Sequence, residues 1–203
     1  MFKLLASTVS VLCVSGLLVT TARASEQTRG ASAPITNSPA ARQTTNSSTV
    51  DRADASADLS ATNGNAVAGQ LRFTAEEAGV HVIGTVTGLP PDSRHGIHIH
   101  ESGDCSAPDA SSAGGHFKPL SKPHGAPGRD SHIGDLGNIA ANHAGVAYVD
   151  VLAPGATLGD SAASDISGRA VIVHAGADDL KSQPSGDSGA RIACGVIAIS
   201  DPA

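Results

Sequence analysis

The stretch VHVIGTVTGL, residues 80–89, decides how the chain is read. Val80, Val82, Gly84 and Val86 fall at every second position, and Pro90-Pro91 ends the run. Side chains of a strand alternate between two faces, so this period of two reads as a half-buried strand. VAGQLRFT (67–74) repeats the pattern with Val67, Gly69, Leu71 and Phe73 on one face. ADASADLS (53–60) is a weaker, polar strand that ends at the turn Asn63-Gly64-Asn65. Further along come RHGIHIHE (94–101), GNIAANH (137–143), GVAYVDVL (145–152), GRAVIVHA (168–175) and IACGVIAIS (192–200). Eight short strands separated by turn residues, with no helical period, predict an all-β sandwich or barrel.

Composition sets limits. The chain has 203 residues, no Trp, one Tyr and three Phe, so its core must be built from Val, Ile, Leu and Ala. The formal net charge of −6 disfavours binding to nucleic acid or to an anionic membrane.

The first 24 residues read as a secretory signal: Lys3, the apolar run LLASTVSVLCVSGLLV, then Ala22-Arg23-Ala24 as the cleavage site. The run is short and broken by Ser and Thr, so no membrane insertion is expected after cleavage. Leu12 before Cys13 argues against a lipid-anchored cysteine. Cleavage removes Lys3 and Arg23 and no acidic residue, taking the charge from −6 to −8. Residues 25–52 hold only Ile35 and Val50 as large apolar side chains and read as a flexible linker. The folded domain is expected over 53–203. Two cysteines then remain, Cys105 and Cys194; in an exported chain they read as one disulfide, with two buried thiols as the alternative.

Between Ser102 and Leu136 the periodicity stops. A structureless loop of that length needs an organiser. It holds His116, His124, His132 and Asp135, four of the ligand-type side chains of a chain with nine histidines. Just upstream, His98 and His100 sit two apart on a strand, with rings on one side and Cβ atoms about 7 Å apart. A lone H-x-H is ordinarily an exposed strand face. Joined to the loop residues and to His174, it becomes a His-rich site, suited to copper or zinc, with Asp135 as a carboxylate ligand.

GIHIHESGDC (96–105), SAGGHFKPLSKPHGAP (112–127), HIGDLGN (132–138), VIVHAGADDL (171–180) and GARIACGVIAI (189–199) together resemble copper–zinc superoxide dismutase, over about residues 53–201. The resemblance implies an eight-stranded antiparallel Greek-key β-barrel with long metal-binding and electrostatic loops. It implies copper at His98, His100, His116 and His174. It implies zinc at His116, His124, His132 and Asp135, with His116 shared. Asp178 matches an aspartate linking a copper histidine to a zinc histidine, Arg191 the arginine that attracts superoxide, and Cys105 and Cys194 the intrachain disulfide. The resemblance also implies catalytic roles for His116 and Arg191, with superoxide as the substrate. Lys181 is a candidate to assist capture.

The short step from His100 to Cys105 resembles bacterial exported members, which implies a periplasmic or secreted protein. GHFKPLSKPHGAP and ADDL look closer to the eukaryotic style. The two groups dimerise through different surfaces, so the mixture leaves monomer and homodimer, and the interface of the latter, both open. His81 and His143 are expected on the surface. His95 resembles a position packed near the copper ligands. A metal-delivering or metal-storing domain, and a structural zinc domain without redox activity, are the rival readings. Domains of the first kind tend to lose a copper ligand or the arginine, and the second would need the copper site vacant; here all seven ligand positions and Arg191 are occupied.

Overall fold

The alternation at 80–89 becomes a ladder. In a computed structural model, which describes residues 54–128 and 130–200, β1 (Asp54–Ala61), β2 (Ala68–Glu76) and β3 (Gly79–Thr87) form an antiparallel meander. The register sets Phe73 opposite Val82 and Leu71 opposite Gly84. Alternate residues turn inward: Ala55, Ala57 and Leu59 from β1, Leu71 and Phe73 from β2, Val80, Val82 and Val86 from β3. The expected leader (1–24) and linker (25–52) lie outside the described residues.

β4 (Arg94–His100), β5 (Asp135–Ala140), β6 (Ala147–Pro154), β7 (Ala170–His174) and β8 (Arg191–Val196) follow. The hydrogen-bonded order is β5-β4-β7-β8-β1-β2-β3-β6, and β5 comes back against β6 to nearly close a barrel. The chain-consecutive pairs β3–β4 and β6–β7 are not neighbours. These crossings make the Greek key that the sequence led us to expect. Among the described residues the only helical turn is a 3₁₀ turn at Ser111–Ala113.

One expected strand is divided. IACGVIAIS is an unbroken apolar run, yet β8 stops at Val196 and a two-residue β9 (Ala198–Ile199) follows. Both pieces pair with β1, at Ser60–Ala61 and at Ala55–Ser56 respectively. Ile197 between them is fully buried, and its N–H donates to Arg169 C=O, one step past the Ala170–Val196 pair of β7 and β8.

β4 departs from half-buried alternation. Ile97 and Ile99 face the barrel core, but His98 and His100 on the other face are equally buried, at 0 % and 1 % exposure. Loops therefore cover that face, and Cys105–Cys194 ties one of them to β8, across a sequence separation of 89. A small cluster of Ala110, Ala113, Ala170 and Ile172 packs beside the bridge. Constraining a loop of that length removes denatured-state entropy equivalent to roughly 4–5 kcal/mol. Replacing both cysteines with serine is expected to lower the unfolding free energy of the metal-free protein by about that amount, read as a lower urea midpoint. An unchanged midpoint would count against the clamp.

Candidate metal centre

The C-terminal half of β4 is the platform. Ile99 N–H donates to Gly134 C=O, and Ile99 C=O accepts from Phe117 N–H, so two distant parts of the long loop are laced to one strand residue. A Cβ at Gly134 would overlap the Ile99 carbonyl, which restricts that position to glycine. The lacing brings His116 beside His98, with ring centroids 3.9 Å apart. β7 ends on His174, paired with the start of β8 at Arg191.

The first cluster is defined by what each ring does with its other nitrogen. His98 Nε2–H donates to Asp178 Oδ2 at 2.8 Å, His100 Nδ1–H to Gly114 C=O at 2.9 Å, and His174 Nδ1–H to Gly189 C=O at 3.1 Å. In neutral imidazole the second nitrogen then carries a lone pair. Those are His98 Nδ1, His100 Nε2 and His174 Nε2, and His116 Nε2 joins them within a 4.8 Å span. His98 Nδ1 and His116 Nε2 are buried without any hydrogen-bond partner. His100 Nε2 and His174 Nε2 lie 3.4 Å apart, lone pair against lone pair, so that contact is no hydrogen bond. Burial pushes His98 down to about 4, His100 to about 2 and His174 to about 3, so these rings are neutral at pH 7. Buried polar atoms in folded proteins ordinarily find partners. Four converging nitrogens, two of them orphaned, fit a cation with a preference for imidazole, which copper satisfies.

The second cluster converges on one oxygen. Nδ1 of His116, His124 and His132 lie 2.9, 2.9 and 3.2 Å from Asp135 Oδ1. Asp135 Oδ2 is occupied by the backbone N–H groups of Gly125 and His132. Burial alone would raise the Asp135 carboxyl. Hydrogen bonds from His116 and Gly125 and the neighbouring His124 and His132 outweigh it and hold it at about 2. Three nitrogens and one carboxylate oxygen, all buried, are the closed four-ligand set that structural zinc takes. His116 alone belongs to both groups, Nε2 to one and Nδ1 to the other.

Asp178 joins the two. Its carboxylate accepts from His98 Nε2–H at 2.8 Å and from His124 Nε2–H at 2.9 Å, with both of its oxygens buried. Asp178 is itself gripped through its backbone: its N–H donates to Asn138 Oδ1 at 2.7 Å, and its C=O accepts from Asn138 Nδ2 at 2.9 Å. Sequence reading passed over Asn138, because nothing marks one asparagine in GN as a clamp.

Arg191 is half-buried beside the first cluster. Nη1 donates to Ala110 C=O and Nη2 to Gly114 C=O, each at 2.6 Å. Gly114 C=O also takes the His100 Nδ1–H, so one carbonyl orients both the arginine and a ring of the cluster. Burial lowers the guanidinium pKa from its usual value near 12.5, where it still stays charged. Lys181 is exposed in the loop after β7, with its N–H bonded to Asp179. His95 is buried and donates Nδ1–H to the His174 carbonyl, which places it against the first cluster as the resemblance implied. His143 is on the surface. His81 is only partly exposed, because its Nε2 lies 2.8 Å from Asp150 on β6 across the ladder from β3.

Comparison with known proteins agrees with this geometry. The copper/zinc superoxide dismutase family matches residues 67–197. The copper–zinc superoxide dismutase 2 of Mesembryanthemum crystallinum is 46 % identical over 143 residues, covering 66 % of this chain and 89 % of that one. An extracellular copper–zinc superoxide dismutase of Brugia pahangi is 38 % identical over 158 residues, covering 73 % and 77 %. A superoxide-dismutase-like protein from Bacillus subtilis superposes with a TM-score of 0.63 at 37 % identity, covering 69 % of this chain and 95 % of that structure.

Proposed function

The chain belongs to the copper/zinc superoxide dismutase family, and from that premise we propose that copper is held by His98, His100, His116 and His174, and zinc by His116, His124, His132 and Asp135. The activity is dismutation of two superoxide anions, with two protons, to oxygen and hydrogen peroxide. When bound, copper supplies the one-electron exchange and zinc a fixed positive charge.

The observation that carries the finer reading is His116. Its Nδ1 is committed to the second cluster while its Nε2 is buried and unpartnered in the first. With copper held by the first cluster, Nε2 would be placed to hold a proton when not engaged by the metal and to hand it to the substrate. Nδ1 stays anchored throughout, so the ring does not swing and the proton is held at one point.

Arg191 supplies the substrate's counter-charge. Superoxide is an anion and the chain carries a formal −6, so net charge repels it. A local positive group in a cleft governs capture despite that. The Arg191 guanidinium is pinned by two carbonyls beside His100, a position that draws an anion to the cluster, which a metal store does not need. That favours an enzyme over a metal store. Arg191→Ala is expected to slow dismutation at least tenfold, about the lower bound for loss of steering, with both metals retained. Metal analysis and pulse-generated superoxide decay on the same variant check this. Unchanged decay would remove Arg191 from the reaction.

The compartment we propose is the periplasm or the exterior, reached through the leader expected at 1–24, with 25–52 as a linker. A formed Cys105–Cys194 bridge fits an oxidising compartment. There the enzyme would protect against superoxide arising outside the cytoplasm.

A further inference from the structure

His124 sits in the part of the long loop with the least backbone support. Among the described residues, its N–H and its C=O each have one partner, and both partners belong to Gln183. The Gln183 side-chain Oε1 accepts the His124 N–H at 2.9 Å, and Nε2 donates to the His124 C=O at 2.9 Å. One primary amide thus matches both peptide groups of a residue 59 positions away.

Gln183 is presented by a loop that folds on itself. Asp179 N–H donates to Gly186 C=O and Gly186 N–H to Ser182 C=O. The Asp179 carboxylate accepts from the N–H groups of Lys181 and Ser182. Gln183 Nε2 also donates to Lys181 C=O, which fixes the amide before it reaches His124. Three residues on, Gly186 has φ +67° and lies directly against the bond between Asp178 and His124. A Cβ there would overlap Asp178 Oδ1 and come within 2.6 Å of His124 Nε2. The loop therefore touches His124 twice, once on its peptide and once on its ring.

We propose that Gln183 is a positioning residue for zinc: its amide clamps the His124 peptide, so zinc is retained only while the loop spanning 175–190 is seated. This rests on His124 being a zinc ligand. Ligand rings keep their aim through partners that are not themselves ligands, and losing such a partner ordinarily costs 10- to 100-fold in metal affinity. Asp178 orients the His124 ring; Gln183 orients the backbone that carries it. Loop opening would release both together, which makes the loop after β7 a latch on the zinc position as well as a wall of the substrate approach.

The experiment uses the full, disulfide-intact protein loaded with both metals, and reads zinc release into a colorimetric chelator. Gln183→Ala is expected to release zinc about tenfold faster, with copper content unchanged. Gln183→Glu keeps the size and the acceptor but has no donor for the His124 carbonyl, so it too is expected to release zinc faster. Cobalt placed at the zinc position should show a shifted visible spectrum in both variants. Release within twofold of the parent rate in both variants overturns the clamp. A glutamate variant at the parent rate beside a fast alanine variant also overturns it, because bulk alone would then explain the effect. If the parent protein itself holds no zinc, the zinc reading falls, and this inference falls with it.

Discussion

Replacing His116 with alanine is expected to disable both metal positions at once. The ring gives Nδ1 to the group around Asp135 and Nε2 to the group of four nitrogens. Its loss leaves the proposed zinc position with three ligands and the proposed copper position with three nitrogens, and opens a gap against His98, whose ring lies 3.9 Å away. It also deletes the nitrogen proposed to hold the proton, which is buried without a partner. General acid–base groups contribute about 10²- to 10⁴-fold to rate, so dismutation is expected to fall by at least that range. Zinc should become exchangeable in the same variant. Equilibrium dialysis against a zinc buffer and superoxide decay check the two losses side by side. A variant that lost activity but held zinc like the parent would show that the ring is not shared.

Asp178→Ala has the second large effect, and it acts without touching either metal position directly. The substitution strands the Nε2–H groups of His98 and His124, both fully buried. Each unsatisfied donor costs about 1–3 kcal/mol. With the tautomer and ring angle no longer fixed, zinc affinity is expected to drop 10- to 100-fold, and copper affinity to drop less. Copper loses less because His100 and His174 are oriented independently, by the Gly114 and Gly189 carbonyls. Competition with chelators of known affinity measures both. Equal losses at the two positions would contradict this division of support.

The strands were legible because their apolar residues keep a period of two, as at Leu71 and Phe73 or Val80 and Val82. The break after Val196 was not, since IACGVIAI carries no turn residue at the interruption, Ile197. Gly195 is the one sign of it. A Cβ at Gly195 would lie 2.6 Å from the Asp58 carbonyl, so the chain passes very close to β1 just before β8 ends. The histidines were legible as a group, because a long loop crowded with them beside an H-x-H strand has no bland explanation. Their division into two groups with one shared member was not written in their spacing. It depends on which nitrogen of each ring is taken by a carbonyl or carboxylate. Backbone acceptors such as Gly114 and Gly189 leave no trace in side-chain chemistry. The amide clamps are invisible for a related reason. Asn138 and Gln183 are ordinary polar residues until folding places each amide against both peptide groups of one partner.

Copper added stepwise to zinc-loaded, copper-free protein tests the central claim most directly, with bound copper and the rate of superoxide loss measured on each sample. The expected result is a rate that rises in proportion to copper until one copper is bound per chain, then stays flat. Full occupancy of both metals with superoxide decaying no faster than in buffer would contradict it.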